Sequence, residues 1–186
     1  MPAARLLVLT ALALAALPAA AQRANDEPRP SANALVGQTV GTTEIEVAYG
    51  RPSVRGRTVF GGADALVPMG QVWRTGANEA TTIALSDTVR VEGRPLGPGT
   101  YSLFTIPGED AWTIVFNRVP AQWGSFRYDA AQDALRVTVE PMGDAPMQEQ
   151  FEIRFSDVTD TSATMVLHWD RTGVPVRFEA DAAAGG

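Results

Sequence analysis

Residues Gly99 to Asn117 read GTYSLFTIPGEDAWTIVFN, and their pattern decides the fold class. From Thr100 to Ile106 apolar groups fall on both faces of an alternating run: Tyr101 and Leu103, then Phe104 and Ile106. A strand apolar on both faces is a central one, covered above and below. Pro107-Gly-Glu-Asp110 supplies turn chemistry. Beyond it Trp112, Ile114 and Phe116 alternate with Thr113, Val115 and Asn117, a second strand. The stretch therefore predicts two neighbouring strands inside a sheet.

The same two-residue period recurs on both sides. Upstream, Ile45, Val47 and Tyr49 alternate with Glu44 and Glu46, and Val36 to Val40 reads as the strand before them. Thr81 to Leu85 is strand-like, and Val89 and Val91 lead through Gly93 and Leu96-Gly-Pro-Gly99 as a hairpin. Downstream come Leu135/Val137/Val139, Phe151/Ile153/Phe155, Met165/Leu167/Trp169 and Val174/Val176/Phe178. No segment carries an amphipathic helix of useful length. About nine or ten mostly antiparallel strands separated by turn signals predict an all-β, single-domain two-sheet β-sandwich. Two long irregular loops interrupt it, one from Ser53 to the start of the Thr81 strand and one from Arg118 to Asp133.

The ends read differently. In residues 1–21, Arg5 precedes an apolar run from Leu6 to Leu17 and a small-residue site, Ala19-Ala20-Ala21, the pattern of a secretory signal. That run is too short for the roughly 20 residues of a spanning helix. Residues 22–33 read as a polar, Pro-containing spacer, 34–180 as the sandwich and 181–186 as a tail. The expectation is a soluble protein outside the cytoplasm, periplasmic or extracellular, with no transmembrane segment in the mature chain.

Composition removes several chemistries. The chain has no Cys, so it has neither disulfides nor a thiol nucleophile. All 15 basic residues are Arg, which removes lysine-bound cofactors and lysine-containing phosphate loops. A single His, His168, argues against a multi-histidine metal centre; it lies on an alternating strand and reads as a surface residue. No metal and no cofactor is expected. The formal charge of −6 disfavours nucleic acid as a partner. Charge is uneven, however: Arg51 to Arg90 holds five Arg against Asp64, Glu79 and Asp87, a net +2.

Longer strings carry a resemblance. YGRPSVRGRTVFGG (Tyr49–Gly62), LVPMGQVWRTGANEATT (Leu66–Thr82), GTYSLFTIPGEDAWTIVFN and QWGSFRYD (Gln122–Asp129) are similar to the bacterial exported family called domain of unknown function 2911. The resemblance spans roughly Ala34 to Phe178. It implies an exported β-rich domain and carries no assigned reaction. Family members often carry Lys where this chain has Arg55 or Arg57, so the resemblance supports positive charge there rather than a two-bond fork.

Chemistry concentrates on the irregular segments, where function is most often carried. Arg51, Arg55, Arg57 and Arg74 with Asn78 and Glu79 offer guanidinium forks and an amide for a small anion, with Trp73 as a flat wall. The bland reading is a clasp, with these Arg bonded to Glu79 and to carbonyls over a buried Trp73 and with Leu66 to Val72 as an apolar plug. Trp123, Phe126 and Tyr128, with Asn117, Gln122 and Asp129 nearby, can stack on a glycan or close the end of the core. Glu79 with Asp129 or Asp133 is a candidate acid and base for glycan hydrolysis, which needs two carboxyls about 5–10 Å apart. Three functions stay open: a non-catalytic small-ligand module for an anion or a glycan, a hydrolase of glycans or envelope material, and a structural envelope-associated protein.

Overall fold

A computed structural model describes residues 26–180. The signal read over residues 1–21, the first residues of the spacer and the tail after 180 lie outside the described residues. Strands follow in order as β1 (Ala32–Val40), β2 (Thr43–Arg51), β3 (Phe60–Gly61), β4 (Val67–Pro68), β5 (Thr81–Leu85), β6 (Val89–Val91) and β7 (Arg94–Leu96). Then come β8 (Gly99–Ile106), β9 (Trp112–Asn117), β10 (Asp133–Val139), β11 (Gln148–Ser156), β12 (Ser162–Asp170) and β13 (Thr172–Ala180). A 3-10 turn, Ala130–Gln132, precedes β10.

Two antiparallel sheets pack face to face. One has the order β1-β2-β5-β8-β9-β10 and the other β11-β12-β13-β6-β7. The strands exceed the nine or ten expected partly because β3 and β4 form a two-residue parallel ladder inside the first long loop. Strand β1 begins at Ala32, inside the segment read as spacer. As the two-faced pattern required, β8 lies centrally, pairing Leu103 with Thr81 on β5 and with Phe116 on β9.

Alternation sorts the side chains. Ile45, Val47, Leu103, Ile114 and Phe116 point into the sandwich and meet Phe151, Met165, Leu167, Val176 and Phe178. Phe104 and Val115 point the other way. They are still buried, because the two long loops fold over the outer face and add Val72, Ala80 and Tyr128 to a satellite cluster with Ile106. The loops are thus part of a third layer, and that layer positions the candidate site.

Two readings are corrected. His168 is 8% exposed, and its Nε2 lies 2.9 Å from the Pro146 carbonyl. Residues 140–147 fold back across the β12–β13 turn, with Met142 bridged to Gly173, and cover it. Leu66 to Val72 plugs the core only at Val67, 3% exposed, and at Val72, packed in the satellite cluster; Leu66 and Met69 are each 37% exposed.

Candidate functional site

Trp73 has a definite address. Its N–H donates to the Thr105 carbonyl at 2.8 Å and its carbonyl accepts from Thr105 N–H at 2.9 Å, beside β8 just past the end of β5. Thr105 faces Ile114 in the register, so Trp73 shares the inward face. There its ring stacks on Trp169 at 5.7 Å and meets Phe60 and Phe151 edge-on. Its indole N–H donates to Gly76 O at 3.1 Å, which satisfies the polar end of a buried ring. The 75–78 turn stays close because Gly50 and Gly76 lack side chains. A Cβ on Gly50 would lie 2.4 Å from the Ala77 carbonyl oxygen.

The arginine loop has a structural job. Residues 52–54 zip onto β11, with Val54 N donating to Glu149 O and Phe151 N to Pro52 O, both at 2.9 Å. This covers part of an open sheet edge, where unpaired backbone invites association. Arg51 Nε donates to Phe151 O at 3.0 Å, and Arg57 donates to Val54 O and Ser53 O. Arg55 turns at φ 50° and is exposed, with its backbone N–H on Glu149 Oε1.

Arg74 lies on the opposite face of the sheet from Arg51. It follows Trp73 by one residue, so the two-residue period turns it outward. The structure therefore separates Arg74 from Arg51, Arg55 and Arg57. Nor does it pair with Glu79. Arg29 Nη1 instead meets Glu79 Oε1 and Oε2 at 2.9 and 2.8 Å, with side chains 18% and 20% exposed. Arg29 comes from the segment read as spacer and lies 50 residues away, so no local signal announced it. Arg74 Nε is buried with no hydrogen-bond partner among the described residues, and burial pushes the guanidinium below its ordinary pKa. A buried donor left unpaired costs about 1–3 kcal/mol.

Next to Arg74 the two loops join. Glu79 and Trp123 form an antiparallel bridge, Ala80 N donates to Gln122 O at 2.9 Å and Gly124 N to Asn78 O at 3.1 Å. Asn78, at φ 64°, also ties Ser31 through its side-chain amide at 3.1 Å. Bridge partners project to one face, so Trp123 stands beside the Arg29–Glu79 pair. Trp123 is 59% exposed and Phe126 83% exposed. Gly124 turns between them at φ 68°, directly over Arg74: a Cβ there would lie 2.9 Å from Arg74 Nη1 and 2.9 Å from Phe126 Cε2.

The remaining candidates are fixed. Asn117 is fully buried; its amide donates to Asp129 O at 3.0 Å and Asp133 Oδ1 at 2.9 Å, and its oxygen accepts from Val119 N and Gln122 Nε2. Tyr128 packs edge-on against Phe104 and donates to Asp133 Oδ2 at 2.7 Å while Arg136 donates to its oxygen at 2.5 Å. Burial first, then the bond to Asp133, hold its phenol up at about 12. Asp129 Oδ1 caps the 3-10 turn through Ala131 N.

Sequence reasoning also missed a groove of about 220 Å³ at one end of the sandwich, with Phe60, Trp112, Met69 and Met142 in its lining. Among the described residues no group of three or more His, Asp or Glu is placed to hold a metal ion, and no helix is long and apolar enough to cross a membrane.

Fold and surface together define a two-sheet antiparallel β-sandwich that displays aromatic side chains on a pinned loop pair. The chain belongs to the family described as protein of unknown function DUF2911, whose model matches residues 31–178. No match to a curated protein or to a solved structure was found.

Proposed function

We propose that this chain is an exported, non-catalytic binding module that takes a glycan on the shelf formed by Trp123 and Phe126. One observation carries this reading: two aromatic rings 59% and 83% exposed sit on backbone that is bridged and hydrogen-bonded on both sides. Burying a Phe contributes about 1.5–3 kcal/mol, and this loop forgoes most of that. Large apolar groups left in water on ordered backbone mark contact surfaces. A pyranose ring presents an apolar C–H face to such rings and hydroxyls at its edge. The Arg29–Glu79 pair beside Trp123 supplies a donor and an acceptor for those hydroxyls.

The anion pocket built from the whole arginine group loses support, since Arg51 and Arg57 are bound to carbonyls and Arg74 faces away from them. Hydrolysis is less favoured too. Glu79 is ion-paired, Asp129 caps a turn and Asp133 holds Tyr128, Arg136 and Asn117.

Fluorescence tests the reading directly. Trp73, Trp112 and Trp169 are at most 8% exposed, so iodide reaches Trp123 almost alone. Binding oligosaccharides should protect this fraction from quenching, and Trp123→Ala should abolish both the quenching and the binding. If no oligosaccharide across a broad neutral and acidic panel protects Trp123, the shelf is not a glycan site.

A further inference from the structure

We propose that the glycan taken by this shelf is acidic, and that Arg74 reads its carboxylate or sulfate. The inference rests on the shelf reading and adds the charge of the ligand to it. Arg74 lies directly beneath the loop that displays the aromatics. Its Nη1 and Phe126 Cε2 flank the same point above Gly124, each 2.9 Å from it, so guanidinium and ring are immediate neighbours. A Cβ at Gly124 would collide with both, and its φ of 68° suits glycine, so the chain keeps its bulk off this spot.

The surrounding carboxylates have other work. Glu79 accepts twice from Arg29, Asp129 caps its turn, and Asp133 is held by Arg136 and Tyr128. The Arg74 guanidinium is thereby left without a hydrogen bond or ion pair among the described residues, with Nε out of water. A half-buried guanidinium in this state gains more from an incoming anion than a solvated one does, because part of its desolvation cost is already met. A planar, multi-donor group also matches a carboxylate or sulfate in two bonds. Arg127, exposed one residue past Phe126, adds charge of the same sign. The chain's net charge of −6 does not override this, since charges beyond about 8 Å are largely screened at physiological ionic strength.

The test compares an acidic oligosaccharide with its uncharged ester and with a sulfated one. Oligogalacturonate, its methyl ester and a sulfated galactan oligosaccharide are titrated into the purified protein, with tryptophan quenching and calorimetry as readouts. The expected result is that at least one acidic ligand binds about tenfold or more tighter than the ester, with the advantage shrinking as salt rises. Which acidic arm is tighter tells carboxylate from sulfate. Arg74→Gln should bring the acidic ligands down to the ester's affinity, whereas Trp123→Ala should abolish the binding of all three. Equal, salt-independent binding of acid and ester by the wild type overturns the inference and leaves the shelf standing. Absence of binding by all three, with a neutral panel equally silent, removes both. If Arg74→Gln does not fold, the wild-type salt dependence still decides the charge of the ligand.

Discussion

Trp73 and Trp123 belong to two loops that lie over the same sheet, yet one is 8% and the other 59% exposed. Both sit opposite a bridge partner, Thr105 for Trp73 and Glu79 for Trp123. The difference lies in which way each bridge faces. The Thr105 position looks into the sandwich, where Trp169, Phe60 and Phe151 complete a ring cluster. The Glu79 position is in a third layer, where Arg29 meets the carboxylate and the Trp123 ring is left 59% exposed. An indole on irregular backbone is thus buried in the core or left in water according to the parity of one long-range pairing.

The comparison can be broken most forcefully at its buried end. Trp73→Ala should cost about 3–5 kcal/mol in urea unfolding, the range for deleting a large aromatic from a core; a loss below about 1 kcal/mol would mean that the cluster does not hold the sheets together. Next in size is Gly50→Ala. Its new methyl meets the Ala77 carbonyl oxygen at 2.4 Å, so the 75–78 turn must move, at about 1–3 kcal/mol. Iodide quenching should show Trp73 becoming more accessible in that variant while Trp123 stays as it was.

Tyr128→Phe probes the layer between the two indoles. It leaves Asp133 and Arg136 paired and removes one shared hydroxyl, for about 0.5–1.5 kcal/mol. The phenol also carries a pH signature. Its pKa is raised from 10.0 to about 12, so the folded chain holds this proton more tightly than the unfolded chain. The resulting stability is complete below about pH 10 and is lost as pH rises through about 12. Ultraviolet titration of the wild type should show late tyrosinate formation, and Tyr128→Phe should remove the step near pH 12 while Tyr49, whose phenol burial also raises, still titrates late. The smallest effect belongs to Trp123→Ala. Stability should change by no more than about 0.5 kcal/mol, as for an exposed side chain, so that any loss of ligand binding can be assigned to the surface itself. A loss near that of Trp73→Ala would erase the distinction between the two loops.

Much of the sandwich was legible because burial imposes a two-residue period on strands. Trp112/Ile114/Phe116 and Met165/Leu167/Trp169 show that period without help from any other part of the chain, and both runs line the interior. The two-faced apolar pattern of Thr100 to Ile106 marked a central, buried strand, and the tertiary structure shows that the long loops supply its outer cover. Local turns were legible for the same reason: Gly and Pro act through their own dihedrals.

The site was legible only as a region. Arg51, Arg55, Arg57 and Arg74 look like one cluster in the sequence. Nothing local states that Arg51 falls on the inward face of β2 and Arg74 on the outward face of the sheet. His168 read as exposed because its cover, residues 140–147, comes from another part of the chain. The sequence by itself determined the sheet-forming segments, the exclusion of thiol and lysine chemistry, and which segments are irregular. Tertiary structure alone decided that Glu79 meets Arg29 rather than Arg74, that Asn117 and Tyr128 are consumed by internal bonds, and that Trp123 and Phe126 remain in water. The physical reason is the range of the interactions: alternation and turn preference act over a few residues, while a charge or a ring finds its partner a hundred or more residues away.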